Sequence, residues 1–263
     1  MEVHAHTHPY PDSHRDLRKK WMHYFWEFLM LFLAVFCGFL AENLREHKIE
    51  HIRAKDFAKS LVKDLQNDTI AIHAHKKSAG IYITIADSLL SLSKTRLDGR
   101  VSSQFSFYTR FMYWTVPISW NRATFEQIKN SGILRYFKNY QLLEKLMKYD
   151  ALVNDIESEA YNRQVRGNLL LKHINEIIEP GYHQKLSQYF LVSLDTLSRE
   201  TMENLYPTNP ESLENKRNEI RGMLNMIVVQ QRNLQRDINI PWKQAEELSI
   251  ELISDLKKEF HLK

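Results

Sequence analysis

The sequence predicts an all-α protein in which an amino-terminal transmembrane helix continues into a bundle of long helices. Three observations predict this fold class. The 263 residues include only 7 Gly and 7 Pro, so helices meet few breaks. No Pro occurs between Pro11 and Pro117, which frees about a hundred consecutive residues from the strongest helix breaker. An apolar run at residues 21–41 is long enough to cross a bilayer.

The charge balance and the cysteine content bear on the function class. The formal net charge is +4, and the 36 Lys and Arg are interspersed with 32 Asp and Glu instead of forming a block. Such a balance does not favour nucleic-acid binding, so no nucleic-acid partner is predicted. The single cysteine, Cys37, excludes an intramolecular disulfide and a CxxC metal site.

Residues 1–20 begin with a histidine-rich stretch, MEVHAHTHPYPDSH, that has almost no apolar content. This composition predicts a flexible tail. His4, His6 and His8 alternate, and neutral imidazoles can bind zinc, copper or nickel loosely. Because no carboxylate or thiol stands at ligand spacing, an incidental site is favoured over a defined one. We therefore expect no cofactor and no defined metal site, and these histidines are weak candidates for metal ligands.

Residues 21–41, WMHYFWEFLMLFLAVFCGFLA, are predicted to form a transmembrane helix. At about 1.5 Å per residue, this helix reaches roughly 30 Å, the thickness of a hydrocarbon core. Trp21, Tyr24 and Trp26 cluster at its amino end, where aromatic rings favour the headgroup region. Glu27 lies near the same end, where it can reach the interface at reduced cost. The lipid bilayer is therefore a predicted partner.

The carboxyl end of this span distinguishes an uncleaved anchor from a signal peptide, and the basic residues on its two sides bear on its orientation. Phe39 occupies the third position before any cut after Ala41, where cleavage needs a small residue, so the span is expected to be uncleaved. Four basic residues in 15–20 abut the amino end, whereas four are spread over 45–55 beyond the carboxyl end. The denser cluster predicts a cytoplasmic N-terminus and a periplasmic C-terminal domain.

Glu27, Ala34 and Gly38 recur at steps that place them on one face of the predicted span. Ala34 and Gly38 form a small-xxx-small pair that lets a second helix approach closely, and Glu27 can hydrogen-bond across such a contact. The alternative is an interfacial Glu beside small residues that have no special role. We predict this face as a helix-association site for a second copy or for another membrane protein.

Residues 42–263 are predicted to form a helical bundle domain. The membrane helix is expected to continue into it as one rod of about 50 residues. Asn67 or Asp68 can cap a second helix that runs to about Ser93, and Asp98-Gly99 marks the following loop. These two helices are predicted to form an antiparallel hairpin.

Residues 104–120, QFSFYTRFMYWTVPISW, are the most aromatic stretch outside the span. They can form a packed short helix, line an apolar ligand site or dip into lipid. Core packing is the default because large aromatic side chains dominate ordinary interiors. The candidate partner or ligand surface consists of Phe105, Phe107, Tyr108, Phe111, Tyr113, Trp114 and Trp120.

The segment TFEQIKNSGILRYFKN, residues 124–139, contains helix start and stop signals that predict two short helices around a turn. Thr124 and Gln127 have the spacing of a capping box, and Ser131-Gly132 supplies a stop with a left-handed residue. A long helix is predicted over 140–178, ending at Glu179-Pro180-Gly181. Gly167 inside this helix predicts a kink or a close packing contact.

Three segments carry a resemblance to a family of unknown function. They are the aromatic-to-apolar span ending FLAEN, the helix REHKIEHIRAKDFAKSLVKDL behind it, and TFEQIKNSGILRYFKN. On these segments the chain resembles single-span membrane proteins from Bacteroidota-type bacteria. The resemblance extends from the span to about residue 160, and beyond it only in general character. It implies an inner-membrane anchor and a helical domain, and it implies no activity, cofactor or catalytic residue.

The carboxyl-terminal part is predicted to contain a subdomain break near 179–210, followed by two bundle helices. The first of these helices has apolar residues seven apart along one seam, with two more in alternate positions. They are Leu213, Ile220, Ile227 and Leu234, with Leu224 and Ile238 as the alternates. Pro241 is expected to restart the chain as a closing amphipathic helix.

The sequence does not favour an enzyme. It contains no GxSxG elbow, HExxH, P-loop or GxGxxG motif, and most Asp and Glu stand beside Lys or Arg at helix-surface spacing. We therefore expect no catalytic residue, and we interpret the protein as a single-pass membrane-anchored interaction or scaffold protein. It would act by self-association or by binding a membrane or envelope partner. The alternative is an extracytoplasmic ligand-sensing domain, similar to the ligand-binding halves of bacterial receptors, that signals through a separate partner.

Overall fold

The computed structural model of the protein describes residues 13–113, 117–137, 139–189, 194–208 and 210–262. The described ranges form helices and connecting turns without a β-strand, which confirms the predicted all-α class. The α-helices are α1 (Ser13–Leu92), α2 (Gly99–Arg110), α3 (Ala123–Asn130), α4 (Tyr140–Ile177), α5 (Pro180–Leu186), α6 (Arg199–Leu205), α7 (Arg217–Asn239) and α8 (Pro241–Glu259).

Internal contacts divide the chain into two compact units, Met1–Ala54 and Lys55–Lys263. The described residues of the first unit all belong to α1. The most apolar 18-residue window of α1 has a mean hydropathy of 2.0, and none of it is buried in the protein. A soluble core helix of this composition would be buried. Within the described part of the chain, α1 is thus the one candidate for a membrane-spanning helix.

α1 runs without a break through Asn67 and Asp68, so the predicted hairpin is wrong. The buried Asp68 carboxylate accepts hydrogen bonds from the Asn121 backbone N–H at 2.8 Å, from Asn121 Nδ2 at 2.9 Å and from the Tyr149 hydroxyl at 2.9 Å. Each bond to an ionised carboxylate contributes about 1.5–3 kcal/mol, whereas Asp inside a helix costs less than about 1 kcal/mol relative to Ala. The tertiary donors therefore keep Asp68 helical and prevent it from capping.

The second unit is built around three helical lines: α1 from residue 55 onward, α4, and α7 followed by α8. The α7–α8 line runs antiparallel to α1, because its contact positions on α1 fall as its own residue numbers rise. The contacts are Arg217 Nη1 donating to the Ser93 carbonyl at 2.6 Å, Gln231 Nε2 donating to the Ile83 carbonyl at 3.2 Å, and the Lys76–Glu246 ion pair.

α4 runs in the same direction as α1. Tyr149 near its start bonds Asp68, and Arg163 farther along contacts Trp242, whose ring packs against His75 of α1. α4 has 38 residues, and α7 and α8 have 23 and 19. At about 1.5 Å per residue, α4 and the α7–α8 line are each about 60 Å long. The lines therefore match in length and bury one another's apolar faces.

The α7–α8 line breaks at Ile240 and Pro241, as the sequence predicts. Pro241 has no backbone N–H and opens α8 as a first-turn residue. At this break, which we call the α7–α8 joint, the buried Asp237 carboxylate forms an ion pair with the buried guanidinium of Arg163 on α4. The Trp242 ring centroid lies 5.5 Å from Cζ of the same guanidinium.

Arg163 keeps its positive charge in this buried ion pair. Burial lowers the pKa of Arg163, and the Asp237 carboxylate opposes that shift. The guanidinium stays protonated because its usual pKa exceeds about 12. The α7–α8 joint is therefore tied to α4 by two opposite charges that have little access to water.

The apolar seam predicted for α7 is buried, with one change, and α4 buries an apolar seam of its own. On α4 the buried seam includes Leu142, Leu146, Val153 and Ile156, and in the last part of the chain it includes Leu213, Ile220, Ile227 and Leu234. In the alternate positions the structure buries Met223, Gln230 and Asp237, whereas Leu224 and Ile238 are only half-buried. A rotation that buried Ile238 would withdraw Asp237 from Arg163, so the ion pair decides which seam faces inward.

The segment between α3 and α4 has the predicted order of elements but not the predicted cap. α3 begins at Ala123, before Thr124, and no side chain caps it, so the capping box of Thr124 and Gln127 is wrong. Gly132 has φ +71°, the left-handed conformation predicted for the stop. Asn139 caps α4 through its side-chain oxygen, and the long helix follows as predicted.

Gly167 is a point of close packing on α4, which was one of its two predicted roles. A Cβ atom at this position would lie 2.7 Å from the Tyr113 carbonyl oxygen, closer than real Cβ contacts. The helix therefore passes the backbone that follows α2 at a distance that only glycine permits.

We expect Gly167→Ala to destabilise the protein and Gly222→Ala to stabilise it. The first change forces a backbone shift that costs about 1–3 kcal/mol, more than the helix propensity of about 1 kcal/mol that Ala adds. On α7, a Cβ at Gly222 meets no atom within 4 Å, so only the propensity gain remains. Thermal melting of the detergent-solubilised full chain, followed by circular dichroism, measures both. Equal melting temperatures for the two variants would refute the close contact.

We expect Asp237→Ala to cost about 3–5 kcal/mol, because it leaves a buried guanidinium without its counter-charge. The matched control is Glu247→Ala on α8, whose partner Lys243 lies 3.8 Å away with both side chains about 60% exposed. The control should change stability by no more than about 0.5 kcal/mol. Denaturant unfolding of the two variants decides the point, and a cost for Asp237→Ala as small as that of the control would contradict it.

Candidate functional site

The three residues predicted for helix association lie on the surface of α1. Glu27, Ala34 and Gly38 are exposed, and a Cβ at Gly38 would meet no atom within 4 Å. His23 lies one turn before Glu27, with its Nε2 3.2 Å from the Glu27 carboxylate. Sequence reasoning missed this neighbour, although a spacing of four residues is the signal of a helix-surface pair. The face is open to a second helix, and association through it stays a prediction.

The aromatic residues of the predicted partner or ligand surface have different environments. Phe105 and Phe107 on α2 are fully buried, and the Phe107 ring centroid lies 5.1 Å from that of Phe111 and 5.3 Å from that of Tyr206. These two side chains pack in the core. Trp114 lies outside the described residues, and the half-buried remainder are Tyr108, Phe111, Tyr113 and Trp120. A binding role for this group stays a prediction.

A cavity of about 680 Å³ opens beside α5, and we call it the α5 cavity. Its walls come from the start of α2, the end of α4, α5 itself, and the residues Pro207, Thr208, Pro210, Glu211 and Leu213. The volume lies in the range of about 300–1,000 Å³ that is usual for small-molecule sites. Its apolar lining includes Ile177, Ile178 and Leu213, and its polar lining includes Asp98, Ser106, Glu179, Tyr182, Lys185 and Glu211.

Side-chain to backbone hydrogen bonds from α2 position one wall of the α5 cavity. Asp98 caps α2 by accepting from the next backbone N–H at 3.0 Å. Ser102 Oγ donates to the Glu211 carbonyl at 2.6 Å, and Ser103 Oγ donates to the Pro207 carbonyl at 3.0 Å. These two serines hold Pro207 and Glu211 against α2. Neighbouring hydroxyls on one helix therefore shape the cavity.

The polar lining of the α5 cavity combines carboxylates with a buried tyrosine. Asp98, Glu179 and Glu211 contribute the carboxylates, and Lys185 donates to a backbone carbonyl at 2.9 Å. The Tyr182 side chain is buried, and its hydroxyl has no hydrogen-bond partner among the described residues. Burial raises the pKa of Tyr182, so the hydroxyl stays protonated and can donate.

His183 follows Tyr182 on α5 and is half-buried. Neither ring nitrogen has a hydrogen-bond partner among the described residues. Burial, and to a lesser extent the positive charge of Arg110, lowers the pKa of His183 below its usual value. The imidazole is therefore held in its neutral form beside the cavity.

Sequence reasoning did not identify the α5 cavity. The only signals near it were the break at Glu179-Pro180-Gly181 and the prolines at 207 and 210. Both were interpreted only as positions where helices end. The lining residues come from four separate elements and share no motif, so no spacing rule connects them. Among the described residues, no group of three or more His, Cys, Asp or Glu can hold a metal ion. The weak metal candidates His4, His6 and His8 lie outside those residues.

In comparisons with known proteins, the chain matches no family model, no curated protein and no solved structure. Any assignment of function therefore depends on this chain's own residues and their geometry.

We expect His183→Gln to weaken the loss of stability on acidification. A folded-state pKa below the ordinary value near 6.5 means that the unfolded chain binds the proton more readily. Stability should therefore fall as the pH drops from about 6.5 through the folded-state pKa, and neutral Gln removes this contribution.

The measurement is the change in melting temperature between pH 7 and pH 5, which should be smaller for the variant than for the wild type. The control is His73→Gln, which removes an imidazole from an exposed position on α1. Identical pH profiles for the wild type and His183→Gln would count against a neutral, desolvated imidazole.

Proposed function

We propose that the protein is a single-pass membrane-anchored interaction protein. Its helical bundle acts by binding a second copy of the chain or another membrane or envelope protein. The observation that carries this proposal is α1, in which an unburied apolar segment and a bundle helix belong to one element. An apolar helix surface of this length needs lipid or protein to cover it.

The proposed location is the inner membrane, with the N-terminus in the cytoplasm and the bundle in the periplasm. The four basic residues in 15–20 support this orientation, because dense Lys and Arg beside a span favour the cytoplasmic side. The resemblance of the span and of residues 124–139 to single-span proteins of Bacteroidota-type bacteria supports the inner membrane. A cysteine placed in the bundle and labelled with a membrane-impermeant reagent on intact cells tests the orientation, with Cys37 replaced by Ser.

A second candidate function is ligand sensing, and the α5 cavity is the observation that favours it. Its volume of about 680 Å³ suits a small molecule, and the Tyr182 hydroxyl is available as a donor. A sensor of this kind would pass its signal to a separate partner. Interaction remains the first proposal, because it needs no ligand and follows from the exposed surface of α1.

We expect Gly38→Ile to weaken self-association in a membrane reporter at least several-fold. A β-branched side chain at this position keeps a second helix away from the small-residue face. It does not disturb the isolated helix, since a Cβ there meets nothing within 4 Å. Cys37→Ile is the matched control, because it adds similar bulk to an exposed neighbour that points about 100° away. Equal signals from the two variants would exclude the predicted face.

Purification of the tagged full chain from native membranes, cross-linked before it is extracted in mild detergent, tests the function as a whole. Stoichiometric recovery of a second protein, or of a homo-oligomer, supports interaction as the function. Recovery of a lone chain that carries a small molecule, identified by mass spectrometry after denaturation, supports sensing. Recovery of a monomer with neither would overturn both.

A further inference from the structure

Exposed apolar side chains of the second unit concentrate on α4. Among the described residues from 55 to 262, ten large apolar side chains are exposed, and half of them belong to this one helix. Tyr161 is 68% exposed and Leu169 is 55% exposed. The five residues are Tyr140, Met147, Tyr161, Val165 and Leu169.

Three of these five residues, Met147, Tyr161 and Val165, belong to a regular seam, which we call the α4 face. From Met147 to Asn168, exposed residues recur at alternating steps of four and three, and none of them is charged. This is the spacing of a coiled-coil seam over three heptads. The α4 face consists of Met147, Ala151, Asn154, Ser158, Tyr161, Val165 and Asn168.

The opposite side of α4 faces the interior of the bundle. Buried residues recur there with the same seven-residue spacing, at Tyr149, Ile156, Arg163 and Leu170. Arg163 carries the ion pair with Asp237, and Tyr149 bonds Asp68. The core side of α4 is therefore occupied, and the α4 face can accept another helix without any change in the bundle.

We propose that the α4 face pairs with the α4 face of a second copy, with the two helices parallel. A seven-residue seam packs best against a seam of the same period, and a second copy supplies one. No residue of the seam itself is charged, so the centres of two such seams can meet without like-charge repulsion, while Lys148, Asp155 and Glu157 flank them. This inference rests on the proposed membrane anchoring, which holds the copies in one bilayer with one topology.

Two asparagines in the seam specify this pairing further. Asn154 and Asn168 are fourteen residues apart and stand in the same seam position. In a parallel pair each one meets its own counterpart, where two side-chain amides can hydrogen-bond to each other. In a register shifted by one heptad, Asn154 would face Tyr161, which is a poorer match. The seam thus favours the in-register, parallel arrangement.

The size of the α4 face predicts that pairing depends on the membrane. A seam of 22 residues is about 33 Å long, and a helix is about 10 Å wide, so each copy covers about 330 Å². The total of about 700 Å² lies below the range of about 1,200–2,000 Å² that stable interfaces bury. Anchoring in one bilayer raises the effective concentration of the two copies and can compensate for a small interface. The pair should therefore form in membranes and dissociate when the chain is diluted in detergent.

Cysteine cross-linking of the full chain in native membranes tests the proposal. On a Cys37→Ser background, Met147→Cys and Val165→Cys near the two ends of the α4 face are treated with a short bismaleimide. In a parallel pair each cysteine lies beside its counterpart, so both variants should give a dimer band at least five-fold stronger than the control. The control is Val229→Cys, which is exposed on α7 and lies outside the α4 face.

A charge placed in the seam supplies a second readout. Tyr161→Asp, added to the Met147→Cys variant, should reduce the dimer band at least five-fold, because two carboxylates then face each other across the pair. Val229→Asp in the same background should leave the band unchanged. Both positions are exposed, so each variant should fold, and circular dichroism of the purified chains verifies this.

Other outcomes overturn the proposal. Dimer bands no stronger than that of Val229→Cys would mean that the α4 face does not meet its counterpart. Cross-linking confined to Asn154→Cys and Ser158→Cys, near the middle of α4, would indicate an antiparallel pair. A heavier band with a different protein would give the α4 face another occupant. If the α4 cysteines fail while Gly38→Ile still weakens self-association, the α4 pairing is wrong and the proposed interaction function stands.

Discussion

The buried ion pair between Arg163 and Asp237 is the interaction on which the arrangement of the bundle depends. It ties α4 to the α7–α8 line at the point where Pro241 interrupts the helix. Two charges with little access to water lose much of their hydration, so each one needs the other in place. The pair therefore sets both the rotation of α7, which buries Asp237 instead of Ile238, and the position at which α8 starts.

A second buried carboxylate acts in a similar way farther along the bundle. Asp68 lies in the middle of α1 and binds three donors, supplied by Asn121 and Tyr149. The segment that precedes α3 is thus fixed to α1 and α4 together. The contact between Gly167 and the Tyr113 backbone fixes the segment after α2 against α4. Polar and close backbone contacts, added to a generic apolar core, therefore give these helices one register.

The two proposed association surfaces, the α4 face and the face of α1 that contains Gly38, are both exposed. The α4 face is uncharged and lies opposite the buried side of its own helix, and Gly38 lies on an exposed face of the candidate span. Both surfaces suit a second helix, which is consistent with a protein that works by association in a membrane. The α5 cavity is a different kind of feature, because its walls are held by the hydroxyls of Ser102 and Ser103 and by the capped start of α2.

The sequence by itself determined the helical class, the candidate span and several helix ends. The length of the apolar run, the scarcity of Gly and Pro, and the helix-ending residues Gly132 and Pro241 act on their own segments of the chain. The sequence of each segment is therefore enough to predict these elements. The tertiary structure alone decided that α1 continues through Asp68, that Asp237 faces inward, and that residues from four elements line the α5 cavity. Each of these features depends on a partner distant in sequence, and the preference of a short segment carries no information about where that partner will lie.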